Sequence, residues 1–423
     1  MSAAPRTLAQ KIIARAAGRN AVAPGEIVTC KVDLAMFHDS SGPRRLRPML
    51  EKLGARVWDP ERVVLITDHY LPAEDEESRN IIRITREWAR EAGIRNFHDG
   101  IGICHVVLAE RGHLRPGMFA VGGDSHSPTG GAFGAYMFGI GATEMVGVLV
   151  TGEIWLRVPQ TLLMRWNGRF APGVTAKDVM LFLCTRFGLD GGQYQAVEYA
   201  GSAIRALPMQ ERMTLANMTA ELGGQTGLIA PDETTRRYLE EAGARDIEIA
   251  PWKSDADAPL LARHEFDAAS LAPQVAAPFS PALARPATEF GDTRVDIAYI
   301  GACTGAKLED LRMAARVLRG RKAAPGVELM LAPASLKDQE AARAEGTLGI
   351  LEAAGARLFA TACGACAGYG NRLGPNVNVI STTARNFKGR MGDPTAEVYL
   401  GSPYTVAASA IAGKIVDPRE YLP

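Results

Sequence analysis

Residues 296–318 read DIAYIGACTGAKLEDLRMAARVL, and the order of events in that stretch decides the fold class. DIAYIG is a short apolar run with the length and composition of a buried strand. It passes through the glycines around Cys303 into LEDLRMAARVL (308–318), whose apolar residues return at helical spacing. A strand handed to a helix by a short turn is the repeating unit of α/β proteins with parallel sheets. The pattern recurs on either side. RVVLIT (62–67) ends at Asp68-His69, and MFAVGG (118–123) ends at Asp124-Ser125-His126. VELMLAP (327–333) follows, ARLFATA (356–362) ends at Cys363, and VNVIST (377–382) leads to Arg385-Asn386. Chemistry-bearing residues thus collect at carboxyl ends of expected strands, the edge where open parallel sheets bind ligands.

At 423 residues the chain exceeds one compact core. Three units are expected: 1–158, 159–285 and 286–423, with a weak seam near Pro159. The Pro/Ala-rich, aperiodic stretch 271–293 reads as a linker. Lys and Arg number 47 against 47 Asp and Glu, which gives no reason to expect a nucleic-acid or membrane surface. No apolar run is long enough to span a membrane. Six cysteines without a secretory signal suit a reducing compartment. The acid-free first 25 residues fit a folded helix, with Thr7 as N-cap and Gly18 as stop, better than a targeting segment.

Cys303, Cys363 and Cys366 leave four readings open: an incomplete zinc site, a redox pair with a bystander, three ligands of an iron–sulfur cluster, or packed thiols. A cluster held by three thiolates keeps one iron open for Lewis-acid chemistry. Cys30, Cys104 and Cys184 lack glycine-rich strand ends and are expected to pack. Asp68-His69 and Asp124-Ser125-His126 are acid–imidazole pairs suited to proton transfer. Adjacent side chains are expected not to face each other, so each Asp should orient a different group. Arg385 and Arg390, in RNFKGR, suit carboxylate binding. Asn217 and Glu221, in NMTAE, would share a helical face. His38 is a further candidate, whereas His98, His113 and His264 read as surface residues.

LAMFHDSSGP, the TDH loop, GICH, DSHSPTGGAFGAYMFGIG, MTLANMTAELGGQTGLIAPDE, a Cys-Thr-Gly with 59 residues before Cys-x2-Cys, and ARNFKGR follow in that order. This series resembles the aconitase superfamily from about Thr7 to the C-terminus. The nearest branch in length and order is the large subunit of isopropylmalate-dehydratase-type enzymes. The resemblance implies three α/β/α domains, with mainly parallel sheets, around a central cluster crevice. It implies a [4Fe-4S] cluster on Cys303, Cys363 and Cys366. Asp68 with His69, Asp124 with His126, His105 and Glu221 would be catalytic. Ser125, Asn217, Arg385 and Arg390 would face substrate and cluster. The reaction would be reversible dehydration of a small hydroxydicarboxylate, as in leucine biosynthesis. Dimethylmalate, citramalate, maleate and homoaconitase types are alternatives, and a non-catalytic iron–sulfur regulator is a distant one. A cytoplasmic heterodimer is implied, in which a small swivelling subunit supplies the base. Gly305 and Ala384 depart from the family's usual asparagines and are expected to remove amides near the cluster. Thr361-Ala362 stands where Pro-Gly is usual.

Overall fold

A computed structural model describes residues 4–369 and 372–423. Three mainly parallel sheets with helices on their faces form the architecture. The first has five parallel strands in the order Asn96–Asp99, Val63–Thr67, Leu34–His38, Phe119–Gly122, Tyr136–Gly139. Leu34–His38 and Val63–Thr67 are buried along their whole length, as strands covered on both faces must be. The second sheet has four parallel strands: Thr226–Leu228, Ala196–Ala200, Thr161–Asn167 and Ala262–Asp267. The third has seven, with Asn378–Ser381 and Ile297–Ile300 at its centre.

Local chemistry sets the element ends. Thr7 and Gln10 form a capping box on Leu8–Ala16, and Gly18 takes the left-handed conformation beyond it. Leu308–Leu318 forms over the expected residues. The first and third sheets meet where Ile103 N–H donates to Ala334 O at 2.8 Å. There Gly102, at φ 144°, passes so close to Ser335 that a Cβ would lie 2.6 Å from the Ser335 Cα.

Two expectations need correction. The stretch 271–293 is not a solvated linker. Gln274–Ala276 and Ala284–Pro286 pair antiparallel with each other, and the former pairs with Glu397–Gly401 on the edge of the third sheet. Val275 and Ala276 are fully buried there, so their apolar side chains outweigh the proline-rich composition. ARLFATA yields only a two-residue strand, Arg357–Leu358. The chain then leaves the sheet, and Cys363 N–H donates to Asp68 O at 2.8 Å.

Candidate active site

Strand order explains where the chemistry gathers. In the first sheet the chain runs outward from Leu34–His38 through Val63–Thr67 to Asn96–Asp99, then returns on the other side as Phe119–Gly122. The order therefore reverses between Leu34–His38 and Phe119–Gly122, and a crevice opens at their carboxyl ends. His38-Asp39 and Asp124-Ser125-His126 leave the sheet at that crevice. The third sheet repeats the arrangement. Ile297–Ile300 and Asn378–Ser381 flank its switch point, one leading to Cys303 and the other to Arg385.

Asp39 shapes the first loop. Fully buried, it accepts the backbone N–H groups of Asp68, His69 and Tyr70 at 3.3, 3.0 and 2.7 Å. Those bonds curl the chain as it leaves its strand and bring Asp68 Oδ1 to 2.7 Å from its neighbour's Nδ1, on His69. The expectation that adjacent Asp and His would not face each other fails here, because residues 68–70 have left the alternating strand geometry. Asp68 Oδ2 accepts the Cys104 N–H at 2.7 Å. Burial alone would raise the Asp68 carboxyl; His69, His38 and the Cys104 N–H instead hold it well below the usual range. Burial works against the His69 imidazolium as well, but Asp68 lifts it to about 10.

Asp124 is the hub. Its Oδ1 accepts from His105 Nε2 at 2.9 Å and from the His126 backbone N–H at 2.8 Å. Its Oδ2 faces His38 Nε2 at 3.6 Å and His69 Nε2 at 3.9 Å. Here the Asp does orient a histidine other than its sequence neighbour. His126 turns instead to Glu221, Nε2 to Oε1 at 3.0 Å. Burial and the nearby Arg385 disfavour the His126 cation, yet Glu221 and Asp124 raise it; burial prevails at His105, which is lowered. Neighbouring imidazoles are thus pushed apart, a pattern associated with divided acid–base roles.

Arg385 closes the ring. Its Nε donates to Glu221 Oε1 at 2.5 Å and its Nη1 to Ser125 Oγ at 2.9 Å. Asp124, Ser125 and Arg385 line a cavity of about 390 Å³ whose other wall includes Ile140, Pro128 and Tyr194. Asn217 ends the helix Met209–Asn217, and Glu221 caps the 3-10 turn that follows. Asn217 Nδ2 donates to Cys303 Sγ at 3.3 Å and to Thr129 Oγ1 at 2.8 Å. Arg390 Nε donates to the Cys366 carbonyl at 3.0 Å.

The cysteines suit an iron–sulfur ligand set. Cys363 donates to Cys366, whose thiol falls to about 6 with further help from Arg390, His126 and Arg385. Thiolate is the form that binds metal. Burial raises Cys303 to about 12, so it awaits a metal to displace its proton. Asn217 Oδ1 and Glu221 Oε2 are buried without a hydrogen-bond partner among the described residues. Polar atoms left open around the cysteines fit a site that receives a polar guest.

Gly305 has a steric reason. A Cβ there would lie 2.1 Å from Thr382 Cβ. Thr382 ties the Cys303 and Arg385 loops together, exchanging hydrogen bonds with Gly301 N and O, each at 2.8 Å, and accepting from Thr304 Oγ1 at 2.9 Å. His98 and His113, expected at the surface, face each other half-buried with Nε2 atoms 2.7 Å apart. Asp39 was not singled out by sequence reasoning, although it carries the signal used elsewhere, an acid beside histidine at a strand end.

The sequence profile of the aconitase family (aconitate hydratase) matches residues 10–294 and 283–413. The chain belongs to the aconitase family. It is, accordingly, a hydro-lyase. A 3-isopropylmalate dehydratase large subunit of Methanopyrus kandleri is 43% identical over 420 residues, spanning 99% of this chain and 100% of that one. One from Moorella thermoacetica is 42% identical, spanning 98% and 99%. A probable methanogen homoaconitase large subunit of Methanothermobacter thermautotrophicus is also 42% identical, spanning 98% and 97%. The crystal structure of Thermococcus kodakaraensis aconitase X shares the fold, with TM-score 0.51 and 14% identity over 86% of this chain and 88% of that one. No helix among the described residues is long and apolar enough to cross a membrane.

Proposed function

We propose that the chain is the cluster-binding large subunit of a cytoplasmic hydro-lyase acting on a small substituted malate, with 3-isopropylmalate as first candidate. The supporting observation is the Asp124 hub, which anchors histidines beside a cavity lined by Arg385 and near the two loops that carry Cys303 and the Cys363–Cys366 pair. Cys303, Cys363 and Cys366 would hold a [4Fe-4S] cluster, which when bound supplies a Lewis-acidic iron with an open position. Arg385, with Ser125, binds a substrate carboxylate; Arg390 braces the Cys366 loop; Asn217 orients the Cys303 sulfur. His69 Nε2 holds the proton that leaves with the hydroxyl, its tautomer set by Asp68. Asp124 keeps the imidazoles in register, and Glu221 fixes both His126 and Arg385.

Proton removal from carbon needs a base on the opposite face of the substrate. We assign that base to a small subunit, in keeping with the relatives' designation as large subunits. A division into three units stands as part of the same proposal, with the first seam at residue 158 and the second moved from 285 to before Gln274, because Gln274–Ala276 and Ala284–Pro286 belong to the third sheet. The test is anaerobic cluster reconstitution, addition of a relative's small subunit, and assay against 3-isopropylmalate, citramalate, dimethylmalate, malate and homocitrate. Turnover of a substituted malate is expected only with both subunits. Activity of the cluster-loaded large chain alone would place the base within it, and turnover of homocitrate alone would move the chain to the other branch.

Arg385→Lys should lower kcat/KM by about 30-fold, roughly 2 kcal/mol, because one ammonium cannot serve Glu221, Ser125 and a planar carboxylate together. Kinetics within threefold of wild type would remove Arg385 from the substrate site.

A further inference from the structure

Lys177 lies in the first turn of Ala176–Phe187 and is 1% exposed. Its Nζ donates to Thr383 O at 2.7 Å and Thr304 Oγ1 at 3.3 Å, with Met218 Sδ at 4.0 Å. All three are neutral; Asp310, Glu221 and Cys303 act on the ammonium from beyond ion-pair distance, and no carboxylate among the described residues makes an ion pair with it. Lys307 provides the contrast: equally buried, it pairs with Asp310 Oδ2 at 2.7 Å. Asp178, next to Lys177 in sequence, uses its oxygens on Thr175 and on the Gln274 N–H. The helix N-terminus adds positive potential where the ammonium already sits. A buried cation so placed calls for an anion nearby.

The neighbours of that ammonium indicate which anion. Thr304 follows Cys303 in the chain, and Thr383 stands two residues before Arg385. Lys177 therefore lies behind both loops of the third sheet's switch point. We infer that Lys177 is the electrostatic counter-charge of the sulfur centre, serving the Cys303 thiolate and the cluster it carries. The inference rests on the reading that the three cysteines hold a [4Fe-4S] cluster. Three thiolates on an oxidised cubane leave one net negative charge, and one-electron reduction makes two. A fixed cation beside them favours the reduced form. Lys177 touches no reacting atom, so its part is tuning rather than catalysis.

The experiment compares wild type, Lys177→Gln and Lys177→Arg. Circular dichroism establishes that the apo chains fold, iron and sulfide analysis gives loading, and an EPR-monitored redox titration gives the cluster midpoint. Lys177→Gln should load a cluster whose reduced-to-oxidised ratio at fixed potential falls about tenfold, a 59 mV lower midpoint for one electron. Lys177→Arg should stay within about twofold of wild type. A Gln variant with the wild-type midpoint overturns the inference, and so does an apo Gln variant that fails to fold, because the ammonium would then serve the fold. A wild-type chain that takes up no cluster would instead sink the cofactor reading, and this inference with it.

Discussion

Cys366→Ser is expected to abolish the visible thiolate-to-iron absorbance of the reconstituted chain and to bring bound iron and sulfide close to zero. The hydroxyl nearly matches the thiol in size, so the apo fold should persist by circular dichroism. What disappears is the ligand with the greatest thiolate character. The Cys363 donor and the nearby Arg390, His126 and Arg385 bring Cys366 to about 6, whereas burial holds Cys303 at about 12. Of the three thiols Cys366 gives up its proton most readily, while Cys303 and Cys363, which are raised, must release protons on binding. The sign follows directly: cluster uptake should strengthen as pH rises, since protons are products of it. Cys303→Ser and Cys363→Ser should lose the cluster as well. A Cys366→Ser chain with full iron content and unchanged absorbance would show that the three thiols do not form the ligand set.

The parts of this site legible in the sequence are those set by local rules. Val63–Thr67, Phe119–Gly122 and Ile297–Ile300 are short apolar runs, and the residues just beyond them must lie at the carboxyl edge of a parallel sheet. That logic placed Asp68, His69, Asp124, His126 and Cys303 near one another. Roles beyond that edge came from ordered family motifs rather than from spacing.

Features that depend on non-local geometry were not legible. The crevices exist because strand order reverses between Leu34–His38 and Phe119–Gly122, and again between Ile297–Ile300 and Asn378–Ser381. Neither neighbour relation can be read from periodicity. The Asp68–His69 contact depends on Asp39, about 30 residues earlier, gathering three backbone N–H groups. Gly305 read as a lost amide, but the space it leaves belongs to Thr382, which arrives from the adjacent strand. Burial of Gln274–Ala276 likewise needs the edge of the third sheet, and composition cannot register that. Nothing in the sequence around Lys177 sets it apart; its position is defined by two acceptors on separate loops of the third sheet.

Asp124→Asn should be the most damaging substitution that leaves the cluster in place. One carboxylate oxygen receives His105 Nε2–H and the His126 backbone N–H, and the other faces the ring nitrogens of His38 and His69. Burial would raise this carboxyl, but the His105 hydrogen bond and the nearby His126 and His38 rings hold it well below its ordinary range. The amide is isosteric but neutral, and one of its two acceptor positions becomes a donor. It can satisfy His105 or face His38 and His69 with an acceptor, but not both. At least one ring must rotate or change tautomer, and one of the negative charges that favour protonated His69 and His126 is lost, leaving Asp68 and Glu221. General acid–base contributions typically lie between 10² and 10⁴, so kcat should fall by about that range, roughly 3–5 kcal/mol. KM should move little, because Arg385 and its partners Glu221 and Ser125 are untouched. Iron content, absorbance and apo melting should remain near wild type, since Asp124 contacts none of the three cysteines through its hydrogen bonds. A variant retaining a third or more of wild-type kcat would mean that proton transfer runs through Asp68 and His69 alone, with Asp124 a bystander.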